Sequence, residues 1–206
     1  MDNYFDKAAG LWDKDPMKVD RAATTARKIK SLCFHSTNSV VDFGSGTGLL
    51  GVHLKDIFDH VHLVDSSSEM LRIADEKIAK ANISNISTHC VDKLSKLGTR
   101  FSAVTTLMVL HHIDNIKAFF AEAFSALEEN GTLIIADLYK EDGSFHKSNA
   151  SFSGHNGFDT SELSEIAEQA GFSVESVEPY FEIRKENYHK EVVSYPLFLF
   201  VAIKQG

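Results

Sequence analysis

Hydrophobic and polar positions along this chain follow two periods that take turns. Short runs of β-branched and other apolar residues read as strands at residues 39–43, 60–64, 86–91, 101–109 and 132–137. The stretch 101–109 is apolar or β-branched almost throughout, as a central parallel strand buried on both faces should be. Between these runs apolar residues recur every three or four positions, which is the period of a helix with one face inward. Ala22, Ala26, Ile29 and Cys33 form such a stripe over residues 17–34, and Leu50, Leu54, Ile57 and Phe58 form one over about 47–58. Ser66-Ser67-Ser68-Glu69 has the pattern of a capping box ahead of Met70, Ala74, Ile78 and Ala81. A fourth helix should start at Asp114, carry Ile116, Phe120, Ala123 and Leu127, and stop at Asn130-Gly131. A fifth runs from a cap at Asp159 through Leu163, Ile166 and Ala170 to Gly171. Residues 172–180 and 195–203 then read as strands with no helix between them. Parallel neighbours need a crossover, so this pair predicts an antiparallel hairpin closing an otherwise parallel, doubly wound α/β sheet.

Composition bounds the chemistry. A chain of 206 residues, 43% hydrophobic and 24% charged, can bury a core of its own, and no Ser- or Gly-rich linker or internal repeat divides it. We expect one domain over residues 1–206, with an N-terminal helical cap over about 1–36. A net charge of −8 opposes a large nucleic-acid footprint, and the densest basic stretch, Arg27-Lys28-Ile29-Lys30, reads as a solvated helix face. Cys33 and Cys90 have neither zinc-ribbon nor disulfide spacing, the N-terminus is acidic and aromatic, and no apolar run is long enough to span a bilayer. A cytoplasmic protein without membrane attachment is the expectation; the oligomeric state is not legible.

The stretch from Val40 to Gly51 carries the chemistry. A strand breaks into Gly44-Ser45-Gly46-Thr47-Gly48 and restarts as a helix, so the backbone can turn tightly, approach a ligand and aim unpaired N–H groups at it. Asp65, ending the next strand about 20 residues on, stands where a carboxylate binds a ribose. Gly46 to Gly51 spells the dinucleotide pattern G-x-G-x-x-G, but out of frame with the strand, and no Tyr-x-x-x-Lys pair accompanies it; a nicotinamide dehydrogenase is disfavoured. Asp42-Phe43-Gly44-Ser45-Gly46-Thr47-Gly48 resembles the first motif of the class I S-adenosylmethionine-dependent methyltransferases. The resemblance continues through residues 63–71, Cys90-Val91-Asp92, residues 107–113 and residues 130–137, so it spans roughly 38–138.

That resemblance implies seven strands in the order 3-2-1-4-5-7-6, a Rossmann-like methyltransferase fold, and S-adenosylmethionine as cofactor. It implies that Asp42, Gly44, Gly46 and Gly48 approach the methionine part, that Asp65 takes the ribose hydroxyls, and that Asp92 meets the adenine amino group. Ser66 and Met108 join this cofactor-binding set. Met70, on an apolar stripe, reads by spacing as core. His111 and His112 follow the central strand at the edge where open α/β sheets bind ligands, and an imidazole there could accept a proton from the acceptor. Alternatively they brace the turn. His53, His60 and His62 have no ligand spacing, and no metal is expected. Tyr4, Phe5, Trp12 and Asp13 resemble the lid of the small-molecule branch, or else anchor the extension. The polar loop 139–158 is long enough to suggest a cover for the acceptor, and its end, His155-Asn156-Gly157-Phe158-Asp159, resembles a segment of the same branch. The expected activity is methyl transfer to a small-molecule acceptor by in-line displacement. The alternatives are an RNA or protein methyltransferase and a non-catalytic S-adenosylmethionine-binding regulator.

Overall fold

A computed structural model describes residues 4–147, 149 and 152–206. Seven strands form one sheet: β1 (Ser39–Phe43), β2 (His60–Asp65), β3 (Ile86–Cys90), β4 (Phe101–Leu107), β5 (Leu127–Leu138), β6 (Phe172–Glu186) and β7 (Val192–Lys204). Their order is β3-β2-β1-β4-β5-β7-β6, with every pair from β3 to β5 parallel and β7 antiparallel to both neighbours. This is the expected Rossmann-like arrangement. The strand order reverses between β1 and β4, so the C-terminal ends of these two strands open the crevice in which such sheets hold ligands.

Helices cover both faces. On one side α2 (Pro16–Lys30), α3 (Gly51–Leu54) and α4 (Ser68–Lys80) pack Ala22, Ile29, Leu54, Leu71 and Ala74 against Val40, Leu63 and Ile134. On the other, α5 (Ile116–Ala126) and α6 (Thr160–Gln169) pack Phe120, Ala123, Leu163 and Ala167 against Val41, Val104 and Phe200. A short helix at the N-terminus, α1 (Tyr4–Trp12), lies against α4. A smaller apolar cluster, Leu138, Phe145, Ile183, Tyr195 and Leu197, extends the core under the end of β5.

Among the boundaries that differ from the sequence reading, three have a clear local reason. The helix expected over 47–58 contracts to α3, because Gly48 takes φ +77° and the chain stays in turns until Gly51. The helix carrying Ile116 ends at Ala126, and Leu127 turns extended to pair with Phe101. The ladder then skips to Ala103–Thr132, so residues 128–131 form an irregular excursion with Asn130 at φ +60° inside the range of β5. The cap of α4 is Ser67, whose Oγ accepts from the Met70 N–H at 3.2 Å; Ser66 lies outside it, so the capping-box reading does not hold.

Candidate active site

The glycine loop, β2, β4 and β5 converge at the C-terminal edge of the sheet. Gly44 and Ser45 donate to the Val64 carbonyl at 2.7 and 3.0 Å, which pins the loop to the end of β2. Gly44 sits at φ +71°, and a Cβ there would come within 2.4 Å of Val109; only glycine lets the turn after β1 meet the turn after β4. Asp65 lies beside this loop. One of its oxygens accepts from Gly46 N–H at 2.7 Å and the other from Ser67 N–H at 2.8 Å. Burial raises its pKa, the amides of Ser67, Gly46 and Ser66 oppose the rise, and nearby Asp6 adds to it.

Asp42 has a different environment. Fully buried between β1 and the start of α3, its carboxyl is pushed up to about 7 by desolvation. The nearby Gly51 amide offsets this only in part, Asp65 adds to it, and Oδ2 has no hydrogen-bond partner among the described residues. Asp92 is exposed and paired with Lys96 at 2.7 Å. Met108 follows β4 at φ +59°, a strained conformation for a residue with a Cβ, and its side chain packs with the cluster around Phe145. Met70 is buried, as its spacing implied.

The lid is a helix. From α1 and the turn after it, Asp6 accepts from Ser67 Oγ at 2.5 Å, and Asp13 accepts from Thr47 Oγ1 at 2.5 Å and from Lys77 Nζ at 2.7 Å. Trp12 faces Gly46, and the Phe5 ring stands edge-on to His112, 5.6 Å between centroids. The N-terminal segment therefore bridges the glycine loop and the end of β4.

On the far side, His111 and Asp137 are each 1% exposed and joined by a 2.6 Å contact between Nδ1 and Oδ1. Asp137 also accepts from the backbone N–H of Leu138 and of His111. Burial opposes its ionisation, but His111 and these hydrogen bonds outweigh it and hold the carboxyl below its ordinary range. Described residues of the 139–158 loop, His146, Phe152, Gly154 and His155, lie against this dyad. His155 N–H donates to the His111 carbonyl at 2.8 Å, and a Cβ at Gly154 would sit 2.1 Å from that same oxygen, so the close crossing requires glycine. His146 stacks on Phe152 with 3.7 Å between ring centroids, and ring nitrogens of His111, His112 and His146 lie within 4.8 Å of one another. Desolvation, reinforced by His111, pushes His112 down to about 4; the same causes with His112 and Lys185 push His146 to about 3.

Residues 17–177 match the model of a family described as methyltransferase domain. The chain belongs to that family. The methyltransferase domain matches 33% identically, over 109 residues, a demethylmenaquinone methyltransferase of Porphyromonas gingivalis, covering 49% of this chain and 44% of that protein. It spans less than half the length of the curated relatives it matches. Among solved structures it is similar to the protein complexed with the Haloferax volcanii Trm112 methyltransferase activator, with TM-score 0.79, 16% identity and full coverage of both chains. It is also similar to an S-adenosylmethionine-dependent methyltransferase from Clostridium acetobutylicum, with TM-score 0.68 and 17% identity, covering 99% of this chain and 100% of that one. These likenesses are in fold.

Sequence reasoning brought Asp42, the glycines, Asp65, His111 and His112 to one edge, and the structure gathers them there; it leaves Asp92 exposed and ion-paired. It missed Asp6, Asp137 and His146, which reach the site from α1, β5 and the 139–158 loop, and it marked Asp13 only as part of the N-terminal segment, without its partners Thr47 and Lys77. It also missed Arg21 on α2, 7% exposed, whose guanidinium has no ion pair among the described residues. Only the length of the 139–158 loop signalled any of them.

Proposed function

We propose that this methyltransferase domain transfers the methyl group of S-adenosylmethionine to a small-molecule acceptor. The observation that carries the reading is the latched lid: Asp6 and Asp13 bond α1 across the glycine loop and the start of α4, while loop 139–158 crosses the end of β4. A site covered from both sides suits an acceptor that can be enclosed, and a polymer would need an open groove. The donor set suits the cofactor. Asp65 offers two acceptor oxygens, the match for a vicinal diol, beside glycine-loop amides, with Trp12 and the buried Met70 next to Gly46. Asp42, Gly44, Gly46, Gly48, Asp65, Ser66 and Met108 are proposed to line the cofactor site. Asp92 would join them by exchanging Lys96 for the adenine amino group.

The cofactor supplies an electrophilic methyl group, so the protein's work is to hold the acceptor lone pair in line with it and exclude water. Asp137 fixes His111 through Nδ1, and His111 or His112 would accept a proton from the acceptor. The domain organisation proposed is a single catalytic unit with α1 and α2 as cap, and a cytoplasmic setting suits its two exposed free cysteines.

Incubation with methyl-labelled cofactor and metabolite pools, followed by mass spectrometry for a methyl increment, tests this reading. Methylated small molecules support it. Methylation confined to RNA or protein favours the alternative that the Trm112-complexed neighbour suggests. Cofactor binding with no transfer to any pool leaves a regulator.

A further inference from the structure

We propose that His111, His112 and His146 form a binding site for one divalent transition-metal ion, with Zn²⁺ the best match and Asp137 as the outer partner of His111. The site deepens the methyl-transfer reading: its catalytic meaning rests on that reading, while the binding itself does not.

Three observations converge. One ligand nitrogen from each histidine lies within 4.8 Å of the others. Ligands at about 2.0–2.1 Å from a tetrahedral zinc lie roughly 3.3 Å apart, so closing the set takes side-chain rotations of about 1 Å. The Nε2 of His146 is buried and has no hydrogen-bond partner among the described residues. A buried imidazole nitrogen left unpaired is costly, and a metal ion would satisfy it. His111 commits Nδ1 to a fully buried carboxylate, which fixes its tautomer and leaves Nε2 as the ligand. This carboxylate–histidine arrangement is the usual outer support of a metal-bound imidazole.

Imidazole sets suit zinc, copper, iron and nickel rather than magnesium or calcium, which take oxygen ligands. Three protein ligands leave a fourth position, as in catalytic rather than structural zinc sites. Phe5 from the lid and Phe152 from the loop pack on the ring of His112, so that position lies in the covered space between them. The acceptor would be one that presents an oxygen, nitrogen or sulfur atom to a Lewis acid. A second histidine group, His60, His62 and His89, differs: His62 Nδ1 and His89 Nε2 already share a hydrogen bond at 3.0 Å, and His60 bonds Ser87.

The test titrates chelator-treated, tag-free protein with zinc chloride and cobalt chloride in the absence of the adenosyl cofactor. The expected result is one ion per chain, with the strong visible absorption of four-coordinate cobalt. His146→Ala and His112→Ala, checked for folding by circular dichroism, should weaken binding at least about 100-fold, and Asp137→Asn by about 10- to 100-fold. Absence of stoichiometric binding would overturn the proposal. So would full affinity in His146→Ala, or a loss seen in His89→Ala instead. S-adenosylhomocysteine binding to the same metal-free protein is read separately, so failure of the metal site and failure of the methyl-transfer reading give different results.

Discussion

Thr47, fully buried in the glycine loop, donates its hydroxyl to Asp13 at 2.5 Å, so the residue that follows α1 is bonded into the floor of the cradle it covers. Lys77 from α4 holds the other carboxylate oxygen at 2.7 Å. Asp13→Ala should therefore unlatch the lid without unfolding the sheet. We expect cofactor dissociation to accelerate roughly tenfold, for about 1.4 kcal/mol of lost closure, with little change in the melting midpoint of the free protein. Stopped-flow release of a fluorescent cofactor analogue reads this directly. An unchanged off-rate would mean that the latch is ornamental to binding.

Asp65 has two duties in this structure, since both its oxygens already hold backbone amides. Replacement by Ala should weaken S-adenosylhomocysteine binding by ~1–3 kcal/mol and also destabilise the free protein by about 1 kcal/mol, because Gly46 and Ser67 lose their partner. Titration calorimetry gives the first quantity and urea denaturation the second. A loss of stability with full affinity would make Asp65 a loop clamp and remove it from the ribose site.

The strands and most helices were legible because their information is local. Val40 to Phe43 and Phe101 to Leu107 declare themselves by composition, and Met70 by its place on a stripe. Asp65 was legible through its distance from the glycine turn. The partners of these residues were not, because contacts across the fold leave no period in the chain. His111 meets Asp137 from 26 positions away, and Thr47 meets Asp13 from 34. Asp137 does not differ in sequence from a surface aspartate, and Asp13 stood out only as part of the N-terminal segment, with nothing to name Thr47 as its partner. Misplacing the cap at Ser66 had a local cause: of three consecutive serines, each a good cap by residue type, only Ser66 has a Glu three positions on, while the path of the chain out of β2 selects Ser67.

Ionisation of Asp42 predicts a pH dependence of opposite sign to that of an ion-paired carboxylate. Its folded pKa of about 7 lies above the ordinary 3.8, so the folded state binds the extra proton between these values. The stability this contributes is full below pH 3.8 and is lost as pH rises through 7, by up to ~4 kcal/mol. Asp42→Asn cannot titrate. Its stability relative to wild type should climb between about pH 4 and pH 7 and level off above that in urea denaturation, and a flat difference over this window would show that Asp42 is ionised at no such cost.

His62 should act in the other direction. Burial, together with His60 and His89, lowers its pKa from 6.5 to about 4, so the unfolded chain binds a proton that the folded one refuses. Stability is then complete above pH 6.5 and falls as pH drops toward 4. The ring is only half-buried, so after discounting for solvent screening we expect about 1–2 kcal/mol. His62→Gln should flatten the acid limb of the stability profile over this window, and retention of the wild-type slope would assign the acid sensitivity to other groups.

Arg21 gives the last prediction. Its guanidinium is buried on α2, Nε has no hydrogen-bond partner among the described residues, and the terminal group reaches only the sulfur of Met17 at 3.8 Å. Burial lowers its pKa, while Tyr180, Asp137 and Asp15 recover only part of that cost. A buried cation without an ion pair is a net liability, and replacing it with an apolar side chain of similar length should help the free protein. Arg21→Met is therefore expected to raise the unfolding free energy by about 1–3 kcal/mol, or roughly 2–12 °C in midpoint for a chain of this size. Turnover separates the reasons for keeping the charge. If the variant is both more stable and fully active, Arg21 is tolerated and nothing more; if it gains stability while losing turnover, the charge serves the covered site. A marked loss of stability would show that the guanidinium is well satisfied where it lies, and the argument from burial would fail.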